Sequence, residues 1–127
     1  MKEIAIFTGN KIGALAEVCE ALGKAGVNIR AVSAQAVGED AIIRLITEDA
    51  TSASKALSNF KIRVEDILIV KMKDRPGELG KIARKLAVSG VDIESVYIIG
   101  KINGDMEVAI KPADFAKGNA VLSAVLR

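Results

Sequence analysis

Residues 74–96 read DRPGELGKIARKLAVSGVDIESV, and residues 10–32 read NKIGALAEVCEALGKAGVNIRAV. Set against each other 64 positions apart without a gap, they align Gly13 with Gly77, Leu15 with Leu79 and Leu22 with Leu86. Gly26 then meets Gly90, Val27 meets Val91, Ile29 meets Ile93 and Val32 meets Val96. Glycines and apolar positions that stay in register together mark two copies of one supersecondary unit.

Working outward, both copies have the same order. EIAIF near the start and DILIVKM in the second copy are rich in β-branched residues and predict strands. An apolar stripe at helical spacing follows a short loop: Leu15, Val18, Cys19 and Leu22, then Leu79, Ile82, Ala83 and Leu86. Gly26 and Gly90 end these helices where a left-handed residue is wanted. VNIRAVSA and VDIESVYII predict second strands. Hairpins at VGEDA and INGDM lead to third strands, AIIRLIT and MEVAIK; Asn103-Gly104 is a strong two-residue turn signal. Second helices are expected around TSASKALSNF and ADFAKGNAVLSAVL, with Gly118 and Asn119 weakening the latter. KIRVEDI supplies a fourth strand to copy one.

The order β-α-β-β-α-β predicts an α+β chain of two ferredoxin-like units with antiparallel sheets, residues 1–66 and 67–127. Copy two lacks most of its fourth strand. The edge this exposes should be covered by another chain or by the connecting strand.

Composition removes several functions. There is no histidine, and Cys19 is the sole cysteine, so neither a histidine-based nucleophile system nor a Cys/His zinc site is available. Cys19, inside the helical stripe, reads as a small core residue. A net charge of +2 gives no pull toward nucleic acid or an anionic membrane, and the sparse aromatics lack the stacking signature of RNA readers. TGNKIGAL has too few glycines for a dinucleotide-binding turn. The apolar runs are short, and the N-terminus lacks a signal peptide's features, so a cytoplasmic protein is expected. No cofactor and no enzymatic activity are expected, since the spacing suggests no nucleophile–base pair.

The twofold N/D-x-x-G-x-L … G-V-N/D-I pattern resembles the ACT domain family over nearly the whole chain. It is most similar to stand-alone tandem ACT proteins without a catalytic domain. Copy one departs at Ile12, where proline is usual. The resemblance implies a regulatory protein of amino-acid metabolism, holding a small ligand, typically an amino acid, at interfaces between ACT units that pair side by side. A homodimer is the expected assembly, with a separate metabolic enzyme as a further partner. The alternative is an interaction subunit that docks on such an enzyme with vestigial ligand sites.

By the same resemblance, the ligand-binding residues of copy one are Asn10, Lys11, Ile12 and Gly13, the first helical residues Ala14 and Leu15, and Asn28 and Ile29 of the second strand. Those of copy two are Asp74, Pro76, Gly77, Glu78, Leu79 and Asp92. The chemistry is apt. A helix head offers unpaired N–H groups to a carboxylate, glycine permits close approach, and Asn10 or Asp74 can accept from an ammonium group. The bland rivals are an ordinary N-cap for Asn10 or Asp74 and tight packing for the glycines. Copy one pairs neutral Asn10 and Asn28; copy two pairs anionic Asp74 and Asp92. If both acids faced one pocket it would repel a carboxylate, so copy one is the expected amino-acid site. The basic run Lys71, Lys73, Arg75, Lys81, Arg84 and Lys85 reads as a solvated face.

Overall fold

The computed structural model describes residues 1–126. Its contacts divide into two units, Lys2–Glu65 and the residues from Asp66 on, to which Met1 also belongs.

The first unit contains β1 (Lys2–Gly9), α1 (Ala14–Lys24), β2 (Ile29–Val37), β3 (Asp40–Thr47), α2 (Ala50–Ala56) and β4 (Lys61–Asp66, whose last residue clusters with the second unit). The strands form one sheet in the order β2-β3-β1-β4. Alternation along β1 and β3 places Ile4, Ile6, Ile43 and Leu45 on the face that packs Val18, Leu22, Ala53 and Leu57 of the helical segments. Leu15 does not join this core. It is exposed, as is its counterpart Leu79, because the buried line of α1 runs through Ala14, Val18 and Leu22, and Leu15 stands one residue round the helix from it. Cys19 is half-buried.

The second unit contains β5 (Leu68–Lys73), α3 (Glu78–Val88), β6 (Ile93–Ile102), β7 (Asp105–Pro112), α4 (Phe115–Val121) and a 3₁₀ turn at Ser123–Val125. Its sheet has three strands, β5-β7-β6. Where a fourth strand would lie, Leu126 makes one antiparallel bridge to Val70 of β5. The amide of Ile67, just ahead of β5, donates to the Met1 carbonyl at 3.0 Å. The core joins Leu68, Val70 and Met72 to Leu86, Met106, Val108, Ile110 and Leu122.

Both long helices end alike. Gly26 and Gly90 have φ of 70° and 75°. Val27 N–H donates to Leu22 O and Gly26 N–H to Gly23 O, at 2.9 and 3.1 Å; Val91 and Gly90 repeat the pair with Leu86 and Ala87. This is the Schellman arrangement, and it turns the chain directly into the next strand.

The 64-residue offset does not hold to the end. The second helices are capped by Asp49 and Asp114, whose side chains accept from Ser52 and Lys117 N–H at 3.0 Å, an offset of 65. The extra residue is a bulge in β6. Both copies have an irregularity at the start of the second strand, between Ile29 and Ala31 and between Ile93 and Ser95. Only β6 has another, between Ile98 and Gly100. A bulge absorbs one residue without losing the partner strand's register.

Gly118, which weakened the last helix in the sequence, lies inside α4 for a packing reason. A Cβ there would stand 2.8 Å from Cγ of Pro112. Its counterpart in the first unit is Ala53, fully buried, in a unit that has Thr47 in place of Pro112.

Candidate functional site in the loop ahead of each long helix

Each loop leaves the sheet, turns at a glycine and enters a helix. Gly13 and Gly77 are the N-cap residues, both with φ of 89°, and neither helix has a side-chain cap. The N-cap reading of Asn10 and Asp74 is therefore overturned. So is packing as the reason for the glycines, because a Cβ at either would meet nothing within 4 Å. The left-handed backbone alone demands glycine, at about 1–2 kcal/mol for any residue with a Cβ.

The helix heads stay open. The first bonds back into the loop are Ala14 N–H to Lys11 O at 3.3 Å and Glu17 N–H to Gly13 O at 2.9 Å. In the second unit, Glu78 N–H reaches Arg75 O at 3.4 Å and Lys81 N–H reaches Gly77 O at 3.1 Å. Among the described residues, the N–H groups of Leu15 and Ala16, and of Leu79 and Gly80, have no acceptor. Such a pair of donors at the positive end of a helix suits a carboxylate.

Asn10 and Asp74 instead anchor their loops to the hairpin tips. Asn10 N–H donates to Glu39 O at 2.7 Å, and its side-chain Nδ2 donates to Gly38 O at 3.2 Å. That leaves Oδ1 as an acceptor. Asp74 N–H donates to Gly104 O at 2.9 Å, and its carboxylate pairs with Lys101 Nζ at 3.1 Å. Lys101 thus offsets one of the two negative charges counted against copy two.

The structure does not bring Asn10 and Asn28 together within a unit. Gly9, next to Asn10, pairs with Asp40 at one end of β3; Ile29, next to Asn28, pairs with Thr47 at the other. The eight residues of β3 separate them by on the order of 23 Å. Asp74 and Asp92 are divided the same way, beside Asp105 and Pro112 of β7. The condition under which both acids face one pocket is therefore not met inside a unit.

Of the remaining candidates, Lys11 turns to Glu17 at 3.5 Å. Ile12 is fully exposed and Pro76 is exposed, while Ala14 is buried under its helix. Ile29 is half-buried. Glu78 accepts from Arg75 Nε at 2.6 Å and lies 3.4 Å from Lys81 Nζ. The Arg75 bond in particular holds its carboxyl below the usual range. Lys71 and Lys73 share the carboxylate of Asp105 at 3.4 and 3.1 Å, so four of the six basic residues are ion-paired, through two carboxylates.

Sequence reading missed the bulges at Arg30 and Glu94, beside Asn28 and Asp92. A duplicated break in register is invisible to an ungapped alignment, because both copies carry it.

The model of the ACT domain pair matches residues 1–120, and the chain belongs to that family. A solved protein from Bacteroides thetaiotaomicron is 32% identical, with a TM-score of 0.87 over 99% of this chain and 90% of that one. The regulatory subunit of aspartate kinase from Thermus thermophilus, solved free of ligand, shares the fold at 20% identity and a TM-score of 0.71, over 97% and 88% of the two chains. Aspartate kinase from Clostridium acetobutylicum does so at 17% identity and a TM-score of 0.60, over 99% of this chain but 32% of that one. No curated protein matches the sequence. Residues 1–120 are thus accounted for by an ACT domain pair, a fold this chain shares with those proteins. Among the described residues, no helix is long and apolar enough to cross a membrane.

Proposed function

We propose that this chain is an amino-acid-responsive regulator that assembles as a homodimer. The observation that carries the reading is the open helix head: two free N–H groups behind a left-handed glycine, beside an asparagine with an unused acceptor. An α-amino acid fits that chemistry, with its carboxylate on Leu15 and Ala16 N–H and its ammonium on Asn10 Oδ1. Asn28, at the far end of the sheet, completes the site from a like unit of a second copy. Two such units set edge to edge and antiparallel along β2 bring the loop of one to the strand start of the other. Exposed Ile12, Leu15 and Val32 supply the apolar part of that contact.

Thermal shift against the twenty amino acids tests this. A ligand at a hundred times its dissociation constant adds about 2.7 kcal/mol to stability, a rise of several degrees. N10A combined with N28A should abolish the rise, and an unchanged rise in that variant would refute the assignment.

A second reading is favoured by the name of one structural relative, a regulatory subunit that this chain spans over 88% of its length. Here the pair docks on a separate enzyme of amino-acid metabolism. It predicts no thermal shift with any amino acid and co-purification of that enzyme.

A further inference from the structure

The first unit carries a cleft of about 590 Å³ between the end of β1, the flank of α1 and the connection from α2 to β4. Small-molecule pockets occupy roughly 300–1,000 Å³. Phe7, Ala21 and Phe60, all half-buried, line it. Phe60 packs against the helix-side core, whereas Phe7, next to core-facing Ile6 on β1, turns its ring to the other face of the sheet. One face of Phe7 is already covered by the Arg63 guanidinium, 5.3 Å from the ring centroid. The rim bears Glu20, Lys24 and Lys61. All three are exposed, and among the described residues none of their side chains has an ion-pair or hydrogen-bond partner.

The corresponding cleft of the second unit, closed by the 3₁₀ turn in place of β4, has a different character. It measures about 410 Å³ and contains no aromatic residue. Its lysines are engaged with Asp105, and its glutamate with Arg75 and Lys81. At the positions of Phe7, Phe60 and Lys61 it has Lys71, Val125 and Leu126. Its charges are satisfied internally and its walls are aliphatic.

We infer that the cleft of the first unit binds a small amphipathic monoanion, with a flat apolar body on Phe60 and Ala21 and a carboxylate held by Lys24 and Lys61. The half-buried Phe60 ring and Ala21 lower the local dielectric, which strengthens the lysine–carboxylate attraction over its value in open water. Glu20 on the same rim repels a second negative group, which selects a single anionic head over a polyanion. Leu15 and Ala16, whose amides are proposed for the amino acid, do not line this cleft; of that loop only Lys11 reaches its rim, paired with Glu17 at 3.5 Å.

The test is a ¹⁵N–¹H titration of the whole chain with phenylpyruvate, alongside phenethylamine, which has the ring and the opposite charge, and acetate, which has the charge and no ring. Phenylpyruvate should give saturable shifts at the amides of Ala21, Phe60 and Lys61. Phenethylamine and acetate should each bind at least about tenfold more weakly. The double variant K24E/K61E, both sites exposed, should weaken phenylpyruvate by at least about tenfold while the rest of the spectrum stays in place. Its thermal shift with amino acids should match that of the unsubstituted chain, which separates this site from the Asn10 loop. Shifts confined to residues 10–15, an equal response to the amine, no saturation, or an unaffected double variant would each overturn the proposal.

Discussion

The two units share a backbone plan and differ in how they finish it. The first closes its sheet with a six-residue β4; the second closes with a 3₁₀ turn and one bridge at Leu126. The first ties its loop to the hairpin with a neutral asparagine, and the second with an Asp74–Lys101 ion pair. The first leaves Glu20, Lys24 and Lys61 unengaged beside Phe60; the second pairs off the charges of its cleft. Duplication thus preserved the turns that set the geometry, namely Gly13 and Gly77, Gly26 and Gly90, and Asp49 and Asp114. The side chains that meet solvent and ligands diverged.

The sharpest way to break this comparison is at Gly118. G118A should destabilise the protein by up to about 2 kcal/mol: forcing a methyl against the Pro112 ring costs about 1–3 kcal/mol, and the better helix propensity of alanine returns about 1. Urea denaturation measures it. P112T in the same background, which imitates the first unit, should restore much of the loss. A harmless G118A would mean that the proline contact does not constrain α4.

Smaller, and a test of sameness, is removal of the caps. D49A and D114A should each cost about 1 kcal/mol. D49A should cost more, because Asp49 also accepts from the Ser52 hydroxyl at 2.6 Å, whereas position 117 is lysine. Equal losses in chemical denaturation would show that the hydroxyl bond adds nothing.

The smallest effect is in pH. Asp105, held down by Lys73 and Lys71, and Glu78, held down by Arg75 and Lys81, both lie in the second unit. A lowered folded-state pKa gives stability that is present above the unfolded value and lost as pH falls through the folded one. Stability should therefore decline as pH drops below about 4. D105N should flatten that decline slightly in acid denaturation curves; an unchanged curve would show that solvent screening removes the benefit of the exposed lysines.

Much of this was legible in the sequence, because repetition tests each residue against a second copy. The element order, the glycine helix stops and the Asn103-Gly104 turn could all be read, with φ of 51° and 80° at that turn. Three things could not. Leu15 and Leu79 fit the edge of the helical stripe, but the stripe does not say that the line actually buried in α1 is Ala14, Val18 and Leu22. Asn10 and Asp74 precede a helix as caps do, yet two further loop residues and a left-handed glycine carry them out of reach of its amides. Asn28 has the right chemistry to join Asn10, but only strand register reveals that β3 stands between them lengthwise.

The bulge in β6 has a consequence of its own. Beyond Ile98 and Gly100 the pairing runs Lys101 to Met106, so Lys101 rises on the face that Met106 shares with the core and α3. The unpaired residue between Ile98 and Gly100, Ile99, is what lets β6 carry one residue more than β2 while Lys101 keeps its place opposite Met106. The Lys101–Asp74 pair at 3.1 Å therefore survives the added length. The strand can gain or lose that one residue as slack, and the charge balance beside the second helix head does not register the change.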